Sequence, residues 1–177
     1  MSYDLNFFHV PQGMNPLTAY NGQTEEREHK LLVRPCGSGS SGSIDPSKEV
    51  AKRRLADLLI MRYPEFEIFQ YDYREIAKMK SIDESEARRR YRDIQLTHPS
   101  GLQIVLFDDT AAVTIPYWPN ATSSLSTAWE HLKTLATEGE FSVHDPQLGR
   151  ILNLDTDLDI FRNTFSRMTR IVGQKLK

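Results

Sequence analysis

The sequence predicts an α+β fold: an antiparallel sheet with helices packed mainly on one face. Two patterns carry that expectation. Residues 94–117 alternate apolar and polar side chains through three short runs separated by turn residues, the period of half-buried strands. Segments starting near Asp45, Ser124 and Thr156 instead space their apolar residues three and four apart, the period of helices with one buried face. Strands joined by tight turns, with helices before and after, favour an antiparallel sheet over a parallel one.

In the opening segment Tyr3, Leu5 and Phe7 share one face and Asp4 and Asn6 the other, which predicts a strand. Pro11, Gly13 and Pro16 end it. Residues 17–36 are ambiguous: Leu31-Leu32-Val33 reads as a short strand or as the end of a helix begun at Thr24. The run Gly37 to Ser43 reads as a loop, because ordering it costs much backbone entropy and buries nothing. No Gly-Lys-Ser/Thr follows it, so it is not a phosphate-binding loop.

Asp45-Pro46 opens a helix, with aspartate as N-cap and proline at the first helical position. Val50, Ala51, Leu55, Leu58, Leu59 and Tyr63 form its expected apolar face, with Lys48, Lys52, Arg53 and Asp57 outside. Pro64 stops it. Phe66 to Tyr71 has strand character. Tyr73 to Lys80 and Asp83 to Tyr91 read as two short helices, the second with acids in its first turn and arginines in its last, which suits the helix dipole. The meander follows as Ile94–Thr97, Leu102–Phe107 and Ala111–Tyr117, with turns at Pro99-Ser100-Gly101 and Asp108-Asp109. A helix from about Ser124 to Thr137 carries Leu125, Ala128, Trp129, Leu132 and Leu135. A hairpin turns at Pro146 to Gly149. A last helix, about Thr156 to Gln174, carries Leu158, Phe161, Phe165, Met168 and Val172.

The chain has 177 residues, 22 basic against 24 acidic, and a net charge of −2. That length suits a single α+β domain over residues 1–177, which buries on the order of 70% of its unfolded surface without metal or disulfide. The near balance of charge argues against coating nucleic acid through bulk charge. One cysteine, Cys36, forms no internal disulfide and points to a reducing compartment. No apolar run approaches the roughly 20 residues of a membrane span, and Met1 to Val10 lacks the features of a signal peptide. A cytoplasmic protein is expected, with no membrane partner.

Several segments together suggest a relationship: Met1-Ser2-Tyr3-Asp4-Leu5, Glu75-Ile76-Ala77, Glu86 to Arg92, Leu102-Gln103-Ile104, Phe107-Asp108-Asp109, Thr114 to Trp118 and Asp145-Pro146-Gln147-Leu148-Gly149-Arg150. In their order the chain resembles a group of small bacterial proteins that begin Met-Ser-Tyr-Asp-Leu and carry Asp-Pro-Gln-Leu-Gly-Arg before a C-terminal helix. The resemblance implies a bacterial, cytoplasmic, single-domain protein, in some members of immunity type beside toxin genes. It implies no catalytic residues.

Four constellations have chemical potential. Asp145-Pro146-Gln147-Leu148-Gly149-Arg150 suits a tight turn with Asp145 bonding the turn backbone. As a site it would place His144, Asp145, Gln147 and Arg150 on a loop lip, with Arg150 able to clamp a carboxylate or phosphate. Tyr117-Trp118 ends the third meander strand and serves either to cap the core or to anchor a partner. Tyr73 to Tyr91 resembles a degenerate helix-turn-helix that would put Arg88, Arg89 and Arg90 on a recognition helix. Ser81 stands where the turn glycine is usual, and seven bases between Asp72 and Asp93 meet six acids, a poor surface for neutralising phosphates. Asp155-Thr156-Asp157-Leu158-Asp159 begins like a calcium loop, but Ile160 and Ser166 fill the positions needing glycine and glutamate. An acidic helix start explains it better.

The five histidines share no metal-ligand spacing, and no nucleophile motif is present. No catalytic residue, metal or cofactor is therefore assigned. The expected function is a non-enzymatic binding protein whose partner is another protein, of immunity or regulatory type. The alternatives are a small-ligand binder or enzyme using residues 144–150, and a DNA-binding protein using Arg88 to Arg90.

Overall fold

The computed structural model describes residues 2–22, 45–117 and 121–175. The sequence readings for Cys36, for the Gly/Ser run and for Trp118 lie outside the described residues. The elements are β1 (Ser2–Phe8), α1 (residues 16–22), α2 (Pro46–Arg62), β2 (Glu67–Ile68), α3 (Tyr73–Lys80) and α4 (Glu84–Arg90). They continue with β3 (Ile94–Thr97), β4 (Gln103–Leu106), β5 (Thr110–Pro116), α5 (Ala121–Glu138), β6 (Ser142–Asp145), β7 (Arg150–Leu152) and α6 (Leu158–Lys175). The fold is α+β, as the alternation and the helical stripes predict.

All seven strands of the described residues join one antiparallel sheet in the order β2-β3-β4-β5-β1-β6-β7. The meander β3-β4-β5 forms one side. The first strand in sequence lies inside the sheet, between β5 and the β6-β7 hairpin. Its register, Tyr3 opposite Ile115 and Leu5 opposite Val113, aligns apolar rows across the strands. One row runs Ile68, Leu96, Ile104, Val113, Leu5; another runs Ile94, Leu106, Ala111, Phe7, Val143, Leu152. A one-residue slip of β1 would carry Tyr3, Leu5 and Phe7 to the other face, so burial specifies the register.

The rows pack under α2, α5 and α6. Ala56 and Leu59 of α2, the five predicted apolar residues of α5, and Phe161 and Phe165 of α6 belong to one continuous core cluster with them. Tyr3 sits at its centre, edge-on to Phe161 with ring centroids 5.1 Å apart. On the opposite face Phe8 is also buried and meets Tyr20 of α1 at 5.4 Å.

Helix α2 starts as its cap chemistry predicts: Asp45 accepts from the Ser47 N–H at 2.9 Å, and Pro46 follows at the first helical position. Its buried face differs from the sequence reading. Val50 is 68% exposed, and Lys52 is buried. The ammonium of Lys52 bonds Glu49 at 2.8 Å and Asp108 at 3.1 Å. The turn between β4 and β5 brings that second carboxylate, so the lysine goes inward paired. Two of the three glycines at positive φ among the described residues close turns of the meander and the hairpin: Gly101 (φ 89°) and Gly149 (φ 64°) take a conformation that disfavours any side chain.

Candidate functional site

The β6-β7 hairpin folds as the turn reading of residues 145–150 requires. His144 and Asp145 are the last residues of β6 and are buried, and Arg150 begins β7. The loop lip on which the sequence would set His144 and Asp145 is therefore strand. The physical reason is hydrogen bonding. Asp145 Oδ1 accepts from the N–H groups of Gln147 (2.8 Å) and Leu148 (3.1 Å), which closes the turn. Its Oδ2 accepts from the Tyr3 hydroxyl at 2.5 Å. With its amide turned to satisfy both ends, Gln147 donates to the Asp4 carbonyl and to Asp145 Oδ1, each at 3.0 Å. The carboxylate thus ties the hairpin to β1, and burial together with this bond pushes the Tyr3 phenol above its ordinary pKa.

The neighbouring residues face elsewhere. His144 lies across the sheet from Asn6 and stacks on Tyr20, ring centroids 3.7 Å apart. Burial lowers its pKa, and the Asp145 charge opposes that effect. Arg150 pairs with Asp157, whose carboxyl is held below its usual pKa chiefly by the Asn153 N–H and further by Arg150. Tyr117 is half-buried, its ring 5.4 Å from Phe165. The cavities beside Phe141 and Leu152, beside Leu55 and Phe107, and beside His98 and His131 are lined by other residues than His144, Asp145 and Arg150.

The acidic run 155–159 starts α6. Asp155 pairs with Lys133 at 2.9 Å, Asp157 with Arg150 and Asp159 with Arg162 at 2.6 Å. Each carboxylate has its own cation, so the three do not converge. Among the described residues no group of three or more histidine, cysteine, aspartate or glutamate side chains can hold a metal.

The two short helices form a hairpin, as the sequence predicts. Asp72 caps α3 by accepting from Arg74 and Glu75 N–H groups at 3.1 and 3.0 Å. Asp83 caps α4 through Glu86 N–H at 2.7 Å. Ser81 occupies the left-handed turn position, φ 54°. The hairpin buries only Ala77 and Ala87. The three arginines of α4 are matched along the helix: Arg88 with Glu84 at 2.7 Å, Arg89 with Glu86, and Arg90 with Glu86 at 2.6 Å.

At the base of this hairpin lies a row of rings that no single motif announces. Phe69, 48% exposed, meets Tyr71 at 5.2 Å; Tyr71 meets Tyr73 at 6.0 Å and Tyr91 at 6.3 Å. The Arg88 guanidinium lies over Tyr73, 4.6 Å from the ring centre, within cation–π range. Phe69 is held by its N–H on Gln95 O at 2.8 Å. Burial, followed by the nearby Asp93 charge, raises the Tyr71 pKa. The sequence signal was present as aromatic density at residues 66–73, but the sheet edge brings Tyr91 to it.

A second grouping is also invisible in sequence. His98 at the β3-β4 turn and His131 on α5 lie 5.4 Å apart, ring to ring, and both line a cavity of about 130 Å³ with Ser100, Leu102, Thr127 and Ala128. The only hint was that His131 lies within the apolar stripe of α5.

The chain matches no protein-family model, no curated protein and no solved structure. No helix of the described residues is long and apolar enough to cross a membrane.

Proposed function

We propose that the protein is a non-enzymatic binding module whose partner is another protein, recognised through the ring row Phe69, Tyr71, Tyr73 and Tyr91 with Arg88. The observation that carries this reading is composition in place: three half-buried tyrosine rings gathered beside the exposed Phe69 and Arg88, already ordered by ring contacts and a cation–π pair. Tyrosine and arginine are the residues enriched where interfaces concentrate their binding energy, and two stiff χ angles per tyrosine keep the ordering cost low. The β6-β7 hairpin supports the reading indirectly, since Asp145, Arg150 and Asp157 spend their charges within the protein. An immunity-type or regulatory role is the specific form suggested by the resemblance in the sequence.

Nucleic-acid binding through Arg88, Arg89 and Arg90 is less well supported, because each arginine sits beside a glutamate of its own helix. The test is photo-crosslinking from position 71 in the source cell, followed by affinity measurement with the partner so identified. The expected result is one dominant protein adduct, and a Tyr73→Ala/Arg88→Ala variant that binds it at least about tenfold more weakly with an unchanged melting temperature. Equal binding by that variant would sink the reading. Retention on duplex DNA that falls steeply with salt would replace it with the nucleic-acid alternative.

A further inference from the structure

The imidazole of His131 is 3% exposed, and its Nδ1 has no hydrogen-bond partner among the described residues. Its surroundings are aromatic: Tyr63 at 4.3 Å and Phe66 at 5.1 Å, both edge-on. An imidazole buried without a partner is costly, about 1–3 kcal/mol in general, and native interiors hold few such groups. That nitrogen is itself out of reach of solvent; the rest of the ring borders a cavity of about 130 Å³, several times the ~30 Å³ that one water occupies in the liquid.

His98 supplies the complementary chemistry. Its Nδ1 accepts the Ser100 N–H at 3.2 Å and lies 2.8 Å from Ser100 Oγ. An N–H can only donate, so Nδ1 carries no proton and the neutral ring holds its hydrogen on Nε2. That tautomer offers an N–H rather than a lone pair at Nε2, which disfavours a metal there and favours an acceptor atom. The residues lining the cavity therefore combine a ring whose free N–H is a donor (His98), an imidazole able to take a proton (His131), two hydroxyl-bearing residues (Ser100 and Thr127) and apolar walls (Leu102 and Ala128). Among the described residues no lysine or arginine lines it.

We propose that this cavity binds a small aliphatic monocarboxylate, taken up together with one proton that resides on His131. One carboxylate oxygen accepts from His98 Nε2–H, the other accepts from the protonated His131 ring, and the short alkyl chain lies against Leu102 and Ala128. No bond is made or broken beyond the proton gained from solvent. Burial and His98 hold the free His131 neutral at pH 7, with a pKa of about 4, while the exposed Glu65 pulls the other way. Tyr63 packs edge-on against the ring, and its hydroxyl lies 2.7 Å from Thr134 Oγ1. The inference is independent of the protein-binding surface, which lies on other residues.

The test follows the imidazole nitrogens by NMR in the purified full chain while propionate is added, with acetate, butyrate, inorganic phosphate and Zn²⁺ as comparison arms. The expected result is a saturable shift at His131 and His98 with propionate. Its apparent affinity should weaken about tenfold for each pH unit above 6, as proton-linked binding requires. His131→Phe should abolish the shift at His98, and His131→Gln, which keeps a polar group, should bind at least about tenfold more weakly; circular dichroism would verify both folds. Shifts with Zn²⁺ or phosphate but not with propionate would overturn the proposal, as would propionate binding that ignores pH or survives in both variants. No response to any carboxylate would leave the cavity as a water site and end the idea.

Discussion

The core around Tyr3 and the α3-α4 hairpin are held together by opposite means. In the core, Tyr3, Phe161, Phe165 and Trp129 are buried and in ring contact. Burying one such side chain stabilises the fold by about 1.5–3 kcal/mol. The hairpin buries two alanines and relies on two aspartate caps and four glutamate–arginine pairs, one of them joining Arg74 of α3 to Glu84 of α4 at 3.7 Å. A cap contributes about 1 kcal/mol and an exposed pair less than that. The difference teaches where each kind of function can sit. The rigid core can hold a shaped cavity, while the weakly anchored hairpin can present side chains and adjust to a partner.

The comparison breaks most visibly at Phe161. Phe161→Ala should destabilise the fold by about 3–5 kcal/mol, read from the denaturant midpoint; a loss below about 1 kcal/mol would mean the ring is not central. Acidification tests the same region. His131 is protonated more readily in the unfolded chain than in the folded one, so its contribution to stability is complete above pH 6.5 and shrinks as pH falls toward about 4. The full span is about 3 kcal/mol. The pH dependence of the unfolding midpoint should flatten in His131→Phe, and an unchanged slope would show that the imidazole is not buried neutral.

Tyr3→Phe removes one donor from the fully buried Asp145 and should cost about 1–3 kcal/mol, measured by chemical denaturation. Asp83→Ala removes the α4 cap and should cost about 1 kcal/mol. Its signature should be faster hydrogen exchange confined to residues 84–91, with the core strands unaffected. Global loss of protection would show that the hairpin and the core unfold together. The smallest effect is expected for Glu84→Gln, which breaks the Arg88 pair. Stability should change by less than about 0.5 kcal/mol, whereas partner affinity should fall because Arg88, already over Tyr73, loses the carboxylate that holds it there.

Much of this architecture was legible in advance, and for local reasons. Alternation along β1 and the meander, helical spacing in α5 and α6, and Asp-Pro at the start of α2 all depend on residues a few positions apart. The α2 face departs from its sequence pattern because a lysine in isolation belongs outside; the carboxylate of Asp108 reverses that preference. The 145–150 motif was legible as a turn, but the role of Asp145 was not, since its phenolic partner lies at the other end of the chain.

Strand and helix periods, the caps, the turns and the near balance of charge were determined by the sequence by itself. Only the tertiary structure decided that the first strand runs inside the sheet, that Tyr3 meets Asp145, that Tyr91 joins the ring row and that His98 faces His131. Periodicity is a property of neighbours along the chain. The fate of a buried polar group depends on what distant segments bring to it, and no local pattern carries that information.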